Sequence, residues 1–163
     1  MLHVVLHEPE IPFNTGAIGR TCVATHTSLH MIRPYGFTLD DRYIKRAGMD
    51  YWKDLDVHRY MNFEEFTEQH PGAKIWMATT KAKRSYTEVS FAPDDYIMFG
   101  KESAGIPEEI LVKHEENCIR IPMLPTIRSL NLSNSVAIVL YEALRQNGFH
   151  DMQREGQLHR LHW

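Results

Sequence analysis

Several features that would assign a class of protein directly are missing from this sequence. Its 163 residues contain no apolar run of the roughly 18 residues that a membrane-spanning helix needs. The first residues have neither the basic start nor the small-residue cleavage site of a secretory signal peptide. The two cysteines, Cys22 and Cys118, lie far apart, so we expect free thiols and no disulfide. Together these absences predict a cytoplasmic protein.

An excess of positive charge is also absent. The 18 Lys and Arg residues are outnumbered by 21 Asp and Glu residues, for a formal net charge of -3 at pH 7. Proteins that coat nucleic acid by bulk electrostatics are basic, so an RNA partner would have to meet a local basic patch here. His26 with His30 and His159 with His162 are close in sequence, but neither pair brings Cys or carboxylate ligands at a metal-site spacing. No metal is expected.

Two common nucleotide-binding motifs are incomplete. Gly100-Lys101 does not belong to a phosphate-binding P-loop, because that motif has a glycine five residues before the Gly-Lys pair and Ser or Thr after it. The residues at those positions are Asp95 and Glu102. Gly16 and Gly19 lack the third glycine of a dinucleotide fingerprint. ATP or NAD chemistry is therefore not expected.

The composition that remains is that of one globular domain, with 43% hydrophobic and 24% charged residues. Strand and helix patterns alternate, which predicts an α/β domain with a mainly parallel sheet and helices on both faces. We expect one domain over residues 1–163, with 149–163 as a flexible tail. Strands are predicted at residues 3–7, 28–33, 56–60, 74–79, 96–99 and 118–121. Helices are predicted from Asn14 or Thr15 to His26, at 40–47, from an Asn62 cap to Gln69, at 108–114 and at 136–144.

The stretch from Ile121 to Arg145 joins a polar loop to an apolar helix. Its first half carries two prolines and several Ser and Asn side chains, which favour loops and helix caps. Ser133 or Asn134 is the expected N-cap. The helix from Val136 to Leu144 is apolar on nearly every face, so we expect it to be buried under its own sheet or against another subunit.

Three loops leave the carboxyl ends of predicted strands, where open parallel sheets bind their ligands. They span residues 14–19, 100–107 and 122–134, and each carries glycine, proline or small polar residues. Such residues occur where a backbone must turn or approach a ligand closely. The three loops therefore predict one shared binding site.

Taken together, these loops resemble the motifs of the SPOUT class of RNA methyltransferases, and within it the small tRNA 2'-O-methyltransferases that modify the wobble nucleotide. The stretches that carry the resemblance read EPEIPFNTGAIGRTC, MFGKESAGIP and IRIPMLPTIRSLNLSNSVAIVLYEALR. The RAGMDYW segment and the strand end Ala78-Thr79-Thr80-Lys81 also fit. The resemblance extends from Met1 to about Phe149, with the motifs in the family's order and spacing.

The resemblance implies an S-adenosylmethionine-dependent homodimer in which the last strand and helix pass through a loop as a deep C-terminal trefoil knot. In that class the active sites lie at the dimer interface, so Tyr141 of the last helix would contact the second subunit. The residues implied for cofactor binding are Ala78, Thr79, Gly100, Glu102, Gly105, Ile121, Pro122, Met123, Ser129 and Leu130. Those implied for RNA binding are Asn14, Arg46, Lys81, Lys83, Arg84 and Arg128.

Arg20, Ser129 and Asn131 are the residues that the resemblance implies for catalysis. The suggested role of the arginine in this class is general base for the ribose 2'-hydroxyl. A guanidinium keeps its proton in proteins, so an electrostatic role is chemically sounder: Arg20 would grip a phosphate and stabilise the developing alkoxide. Ser129 and Asn131 would orient the ribose.

The expected activity is methylation of the 2'-oxygen of a cytidine or uridine at position 34, in the anticodon stem-loop of tRNA. Relatives often carry other residues at four positions, which here are Lys101, Ala104, Thr126 and Ile127. These differences affect the choice of substrate and leave the cofactor motif intact. Three alternatives stay open at the level of sequence. They are another tRNA or rRNA ribose as the target, a non-enzymatic RNA-binding or cofactor-sensing protein on the same fold, and a flavodoxin-like nucleotide binder.

Overall fold

The computed structural model describes residues 1–38 and 50–163. The helix predicted at 40–47, and with it Arg46, lies outside these ranges. The described chain forms six strands, which all pair in parallel in the order β3-β2-β1-β5-β4-β6. The strands are β1 His3–His7, β2 Ser28–Ile32, β3 Val57–Tyr60, β4 Ile75–Ala78, β5 Tyr96–Phe99 and β6 Cys118–Ile119. The α-helices are α1 Pro12–Ala24, α2 Phe63–Gln69, α3 Glu108–Leu111 and α4 Leu132–Gln146.

Both faces of the sheet are buried. Side chains alternate across a strand, so Leu6 packs with α1 and α4 in a cluster that includes Ile18 and Val139. The next residue back, Val5, faces the other way and packs with Phe66 of α2. A parallel sheet needs cover on both sides, and the predicted α/β arrangement with helices on both faces is confirmed. Within the two described ranges, none of the helices is long and apolar enough to cross a membrane.

The predicted caps of α1 and α4 are wrong. Helix α1 starts at Pro12 after Ile11, whose side chain makes no capping bond, because proline suits the first helical position. Helix α4 is capped by Asn131, whose side-chain oxygen accepts the Asn134 amide at 3.3 Å. Several Ser and Asn residues compete for such a position, so the polar run alone does not select one. The Asn62 cap of α2 is confirmed, with Glu65 N donating to its side chain at 2.8 Å.

Some predicted elements are also too long. Strand β6 ends at Ile119 because Arg120 leaves the sheet to bond Arg84 and Tyr86 through its backbone, both at 2.9 Å. Helix α3 ends at Leu111 instead of residue 114. By contrast, β1 and β5 have the predicted bounds.

Helix α4 buries one face under its own sheet, and its outer face is less apolar than the sequence suggested. Tyr141 on that outer face is 43% exposed. The buried residues recur at helical spacing: Val136, Val139, Leu140, Ala143 and Leu144. The first of the two predicted environments for this helix, burial under its own sheet, is therefore what the single chain shows.

After α4 the chain turns back and then stays on the surface. Gly148 has a φ of 79°, and the Phe149 amide bonds the Leu144 carbonyl at 2.9 Å, a six-residue closure that ends helices. Met152 packs against the core beside α4. Residues 153–163 are exposed and form no helix or strand.

A run of hydrogen-bonded rings fills the sheet face that α2 covers. His3 Nδ1 lies 3.0 Å from His30 Nε2, and His30 Nδ1 lies 2.8 Å from the Tyr60 hydroxyl. That hydroxyl is 2.7 Å from His70 Nε2, and His70 Nδ1 is 3.1 Å from the Tyr96 hydroxyl. Each of the four links needs one proton, and neutral imidazoles with the two hydroxyls supply one proton to every link. Neutral histidines therefore satisfy every link of the run.

This ring cluster predicts a loss of stability in mild acid. Burial, with smaller contributions from neighbouring histidines, lowers the pKa of His30 to about 3, and burial also lowers the pKa values of His3 and His70. A lowered histidine pKa stabilises the fold fully above the unfolded value near 6.5 and progressively less as the pH falls toward the folded value. For His30 alone, we expect a loss of about 2 kcal/mol in the free energy of unfolding between pH 7.5 and 5.

Urea unfolding at pH 7.5 and 5.0 measures this loss. His30→Asn should flatten the pH dependence, whereas His150→Gln should leave it unchanged, because the His150 side chain is 90% exposed. A free energy of unfolding that is the same at both pH values would contradict the assignment of neutral, buried histidines.

Candidate active site

A cavity of about 780 Å³ opens at the carboxyl edge of the sheet, beside the start of α1. Two of the three predicted loops, 100–107 and 122–134, line its walls together with the end of β4. Residues 14–19 belong to helix α1 and form no loop, and of these six residues Asn14 lines the cavity. Small-molecule sites typically measure roughly 300–1,000 Å³, so a nucleoside-sized ligand fits. Over residues 1–38 and 50–163, no group of three or more His, Cys, Asp or Glu side chains is arranged to hold a metal ion.

Most residues that the motifs implied for the cofactor line this cavity. Pro122 does not, although Ile121 and Met123 on either side of it do; Pro122 is exposed. The predicted cofactor residues at the wall are Ala78, Thr79, Gly100, Glu102, Gly105, Ile121, Met123, Ser129 and Leu130.

The loop after β5 folds tightly enough to need two glycines. A Cβ on Gly100 would lie 2.0 Å from the Gly105 carbonyl carbon and 2.1 Å from Ile106 N. Gly105 has a φ of 71°, a conformation that other residues seldom adopt, and its amide bonds the Lys101 carbonyl at 2.8 Å. The cavity is therefore bordered here by closely packed backbone.

Glu102 ties this loop to the start of α1. Its carboxylate accepts the backbone amides of Glu10 at 3.0 Å and Ile11 at 2.7 Å, and the Asn14 side-chain amide at 3.2 Å. A negative charge at a helix N-terminus is favourable, and α1 has no side-chain cap of its own. In return, Glu10 accepts the Ser103 amide and hydroxyl, and these bonds lower the pKa of Glu10. Glu102 therefore holds this wall of the cavity, the loop after β5, against the start of α1.

Asn14 extends this connection to the third loop. Its side-chain oxygen accepts the Asn131 amide at 3.1 Å, and Asn131 in turn caps α4. Asn14 is 8% exposed, and both polar atoms of its side chain hold protein partners. Sequence patterns could not pair these residues, since 88 positions separate Asn14 from Glu102 and 117 separate it from Asn131.

Glu102→Ala should destabilise the protein by about 2–3 kcal/mol, because it leaves three donors without a charged acceptor. Glu108→Ala is the matched control: its carboxylate is 76% exposed and 3.4 Å from Lys81, and exposed pairs contribute about 0–1 kcal/mol. Urea unfolding of both variants gives the comparison. Equal, small losses would show that the Glu102 bonds do not hold the loops.

Arg20 is the predicted catalytic residue that the single chain does not bring to the cavity. Ser129 and Asn131 line the wall, as does Asn14, but Arg20 does not. It is exposed and lies six residues after Asn14 along α1, or about 9 Å along the helix axis. One chain therefore presents an incomplete set of the implied catalytic residues.

Two of the implied RNA-binding lysines already hold acidic partners. Lys81 Nζ lies 3.4 Å from Glu108, and Lys83 Nζ lies 2.8 Å from Glu115. The hydrogen bond to Glu115 raises the pKa of Lys83. The acidic partners offset part of the positive charge that the sequence suggested for RNA binding.

The other cations differ in their surroundings. The Arg84 guanidinium donates to the Glu116 carbonyl, so it also binds the segment after α3. Arg128 lines the cavity and is exposed. Lys101, which was not among the predicted site residues, lines the cavity with its Nζ 4.0 Å from Glu8. Its position in the glycine loop, next to Gly100, is the signal that could have identified it.

The model of the SpoU rRNA Methylase family matches residues 1–141. The chain belongs to this family. A SpoU-family relative from Saccharophagus degradans, a tRNA (cytidine(34)-2'-O)-methyltransferase, is 46% identical over 150 residues, which cover 91% of this chain and 97% of the relative. The family membership and the methyltransferase class predicted from the three motifs are confirmed.

Solved structures of SpoU-type proteins have the same fold. One, from work on the 2-OH methylation of C/U34 on tRNA, is 43% identical, with a TM-score of 0.85, and covers 90% of this chain and 96% of that chain. An AdoMet-bound rRNA methyltransferase from Sinorhizobium meliloti is 25% identical, with a TM-score of 0.77, over 88% of this chain and 56% of that chain.

Proposed function

We propose that this SpoU-family protein transfers a methyl group from S-adenosylmethionine to the ribose 2'-oxygen of nucleotide 34 of tRNA, a cytidine or a uridine. The observation that carries the proposal is the 46% identity to a tRNA (cytidine(34)-2'-O)-methyltransferase over nearly the full length of both chains. The cavity at the carboxyl edge of the sheet supports it, because its lining residues, from Ile11 to Ser135, all lie within residues 1–141 that the family model matches.

The cavity fits S-adenosylmethionine in size and in its lining. Backbone at Gly100 and Gly105 would face the cofactor, with Ala78, Ile121 and Leu130 offering apolar surface to it. The AdoMet-bound Sinorhizobium meliloti protein of the same fold supports this ligand. When bound, the cofactor supplies an electrophilic methyl group. The remaining tasks, holding the ribose and stabilising negative charge on its oxygen, fall to the chain's own residues.

Arg20 is proposed to stabilise the developing negative charge on the ribose oxygen and to hold an adjacent phosphate. Ser129, at the cavity wall, would hold the ribose. Asn131 has both amide atoms bonded within the protein, so its contribution is to fix the position of the loop that carries Ser129. The hydroxyl proton would leave to solvent as the new O–CH₃ bond forms, and the sulfur–methyl bond of the donor would break to leave S-adenosylhomocysteine.

A homodimer would complete this site. Phe13 on α1 is 69% exposed and Tyr141 on α4 is 43% exposed, and the two helices pack side by side. A second copy that covers these aromatic residues would bring its own α1 alongside, and with it Arg20. We therefore propose that each active site combines the cofactor cavity of one subunit with Arg20 of the other.

The proposed trefoil knot is supported by what the last segment contacts. The backbone of Arg120 lies between Arg84 and Tyr86, and bonds both. Farther on, Gln146 at the end of α4 bonds the backbone of Phe91 at 2.8 Å. The segment before α4 and the end of α4 thus both contact the connection between β4 and β5. A chain that threads through this connection must make such contacts.

The tRNA partner would be recognised through its anticodon stem-loop, whose unpaired bases are accessible to a protein. Lys81, Lys101 and Arg128 line the cavity and would meet the phosphates of the stem-loop. We propose one cytoplasmic domain over residues 1–163, with the catalytic unit ending near Phe149.

A ribosomal RNA target is the second candidate, favoured by the family description and by the Sinorhizobium meliloti rRNA enzyme. Labelled S-adenosylmethionine should be incubated with the protein and either total tRNA that lacks the modification or ribosomal RNA fragments, and the label then mapped by nuclease digestion. Label confined to tRNA supports the proposal. Label confined to ribosomal RNA would replace it with the second candidate.

A further inference from the structure

The short 3-10 helix Asp50–Asp54 docks on the turn of α1 that ends at Arg20. The Tyr51 hydroxyl donates to the carbonyl of Gly16. The Trp52 ring lies over Gly19, where an added Cβ would come within 3.1 Å of the ring. The 3-10 helix thus contacts α1 at positions four residues and one residue before Arg20.

Gly19 makes this close approach possible. A Cβ on Gly19 would also come within 3.3 Å of Leu55, a residue that is 8% exposed and whose amide bonds the Trp52 carbonyl at 3.1 Å. Gly16 and Gly19 are both buried. Glycine costs helix stability relative to alanine, so its presence at position 19, where a Cβ would crowd Trp52 and Leu55, indicates that close packing is required there.

The Gly16 carbonyl, which accepts the Tyr51 hydroxyl, is also the carbonyl that pairs with the Arg20 amide in the helix. In an α-helix the amide of residue 20 donates to the carbonyl of residue 16, and one carbonyl oxygen can accept two hydrogen bonds. The guanidinium lies near the tyrosine as well: burial raises the pKa of Tyr51, and the positive charge of Arg20 acts against that rise. Tyr51 is therefore bonded to the one turn of α1 whose orientation sets the direction of Arg20.

We propose that Tyr51 is a positioning residue for methyl transfer, which fixes the α1 turn so that Arg20 faces the reacting ribose. This inference rests on the proposed function, in which Arg20 stabilises the developing alkoxide. Tyr51 does not line the cofactor cavity, so it acts through Arg20 and leaves cofactor binding unaffected.

Tyr51→Phe removes only the hydroxyl and tests the proposal. We expect kcat for an anticodon stem-loop to fall about tenfold, the order expected when a catalytic group is slightly misplaced. The Kd for S-adenosylmethionine should stay within about twofold of the parent value, since Tyr51 does not line the cofactor cavity. Tyr35→Phe is the matched control, because the Tyr35 hydroxyl also donates to a backbone carbonyl, that of Met31 at 3.3 Å.

Hydrogen exchange of the peptide that covers residues 16–24 provides a readout independent of turnover. Tyr51→Phe should speed exchange in this turn about fivefold, the effect of one lost hydrogen bond, and Tyr35→Phe should not. A Tyr51→Phe enzyme with the kcat and the exchange rate of the Tyr35→Phe control would overturn the inference. If the parent methylates no RNA, the proposed function fails, and the exchange rates still decide whether Tyr51 holds the turn.

Discussion

Replacing Arg20 by alanine is expected to lower the single-turnover rate of methyl transfer by roughly 10²–10³-fold, the usual cost of removing one group that stabilises transition-state charge. Affinity for S-adenosylmethionine should change less than about twofold, because the proposed contacts of Arg20 are to the ribose oxygen and phosphate of the RNA and not to the cofactor. Isothermal titration with the cofactor and rapid-quench assays on an anticodon stem-loop separate the two quantities.

Arg145→Ala is the matched control for Arg20→Ala. Arg145 is an exposed helical arginine paired with Glu142 at 2.8 Å, and it lies at the end of α4 that is farther from the cavity, about 20 Å along the helix from Leu132. Its loss should leave the transfer rate unchanged. Equal rates for Arg20→Ala and the parent would remove Arg20 from the mechanism.

Gly100→Ala is expected to weaken S-adenosylmethionine binding by about 100-fold or more. The added methyl group would lie 2.0 Å from backbone at Gly105, so the loop must open, and overpacking of this kind costs about 3 kcal/mol. Gly156→Ala is the control, since a Cβ there meets nothing within 4 Å. Cofactor titrations that give both variants the parent affinity would show that the loop after β5 does not form the cofactor site.

The Arg20→Ala and Gly100→Ala variants together test whether the active site is shared between two subunits. A heterodimer of one Arg20→Ala chain and one Gly100→Ala chain contains one intact cavity, and the arginine of the other chain can reach it only across the interface. If Arg20 acts between subunits, differently tagged chains that are coexpressed and copurified should recover about half of the parent activity. Recovery of no activity would place Arg20 and the cofactor cavity in the same chain.

The sheet could be predicted from sequence because its signals are local. The buried runs of β1 and β5 are bounded by Pro and Gly residues, and their limits agree with the structure. The Asn62 cap likewise lies three residues from the amide that it accepts. Patterns of this kind depend on side chains a few positions apart, so one sequence is enough to show them.

The connections within the site could not be predicted in this way. Glu102 matched a cofactor motif, yet its carboxylate holds the start of α1, 91 positions away at Ile11. Lys83 belonged to the densest basic cluster in the sequence, but it pairs with Glu115, 32 positions farther on. Which partner a charged side chain meets is set by the order of the strands in the sheet, and that order follows from the packing of the whole chain.

The measurement that tests the central claim most directly uses two synthetic anticodon stem-loops, identical except that one carries 2'-deoxycytidine at nucleotide 34. The parent protein and labelled S-adenosylmethionine are added to each, and the products are mapped by mass spectrometry. The proposed function predicts one methyl group on the ribose of nucleotide 34 in the first stem-loop and none in the second. Equal methylation of both, or label on a different nucleotide, would contradict it.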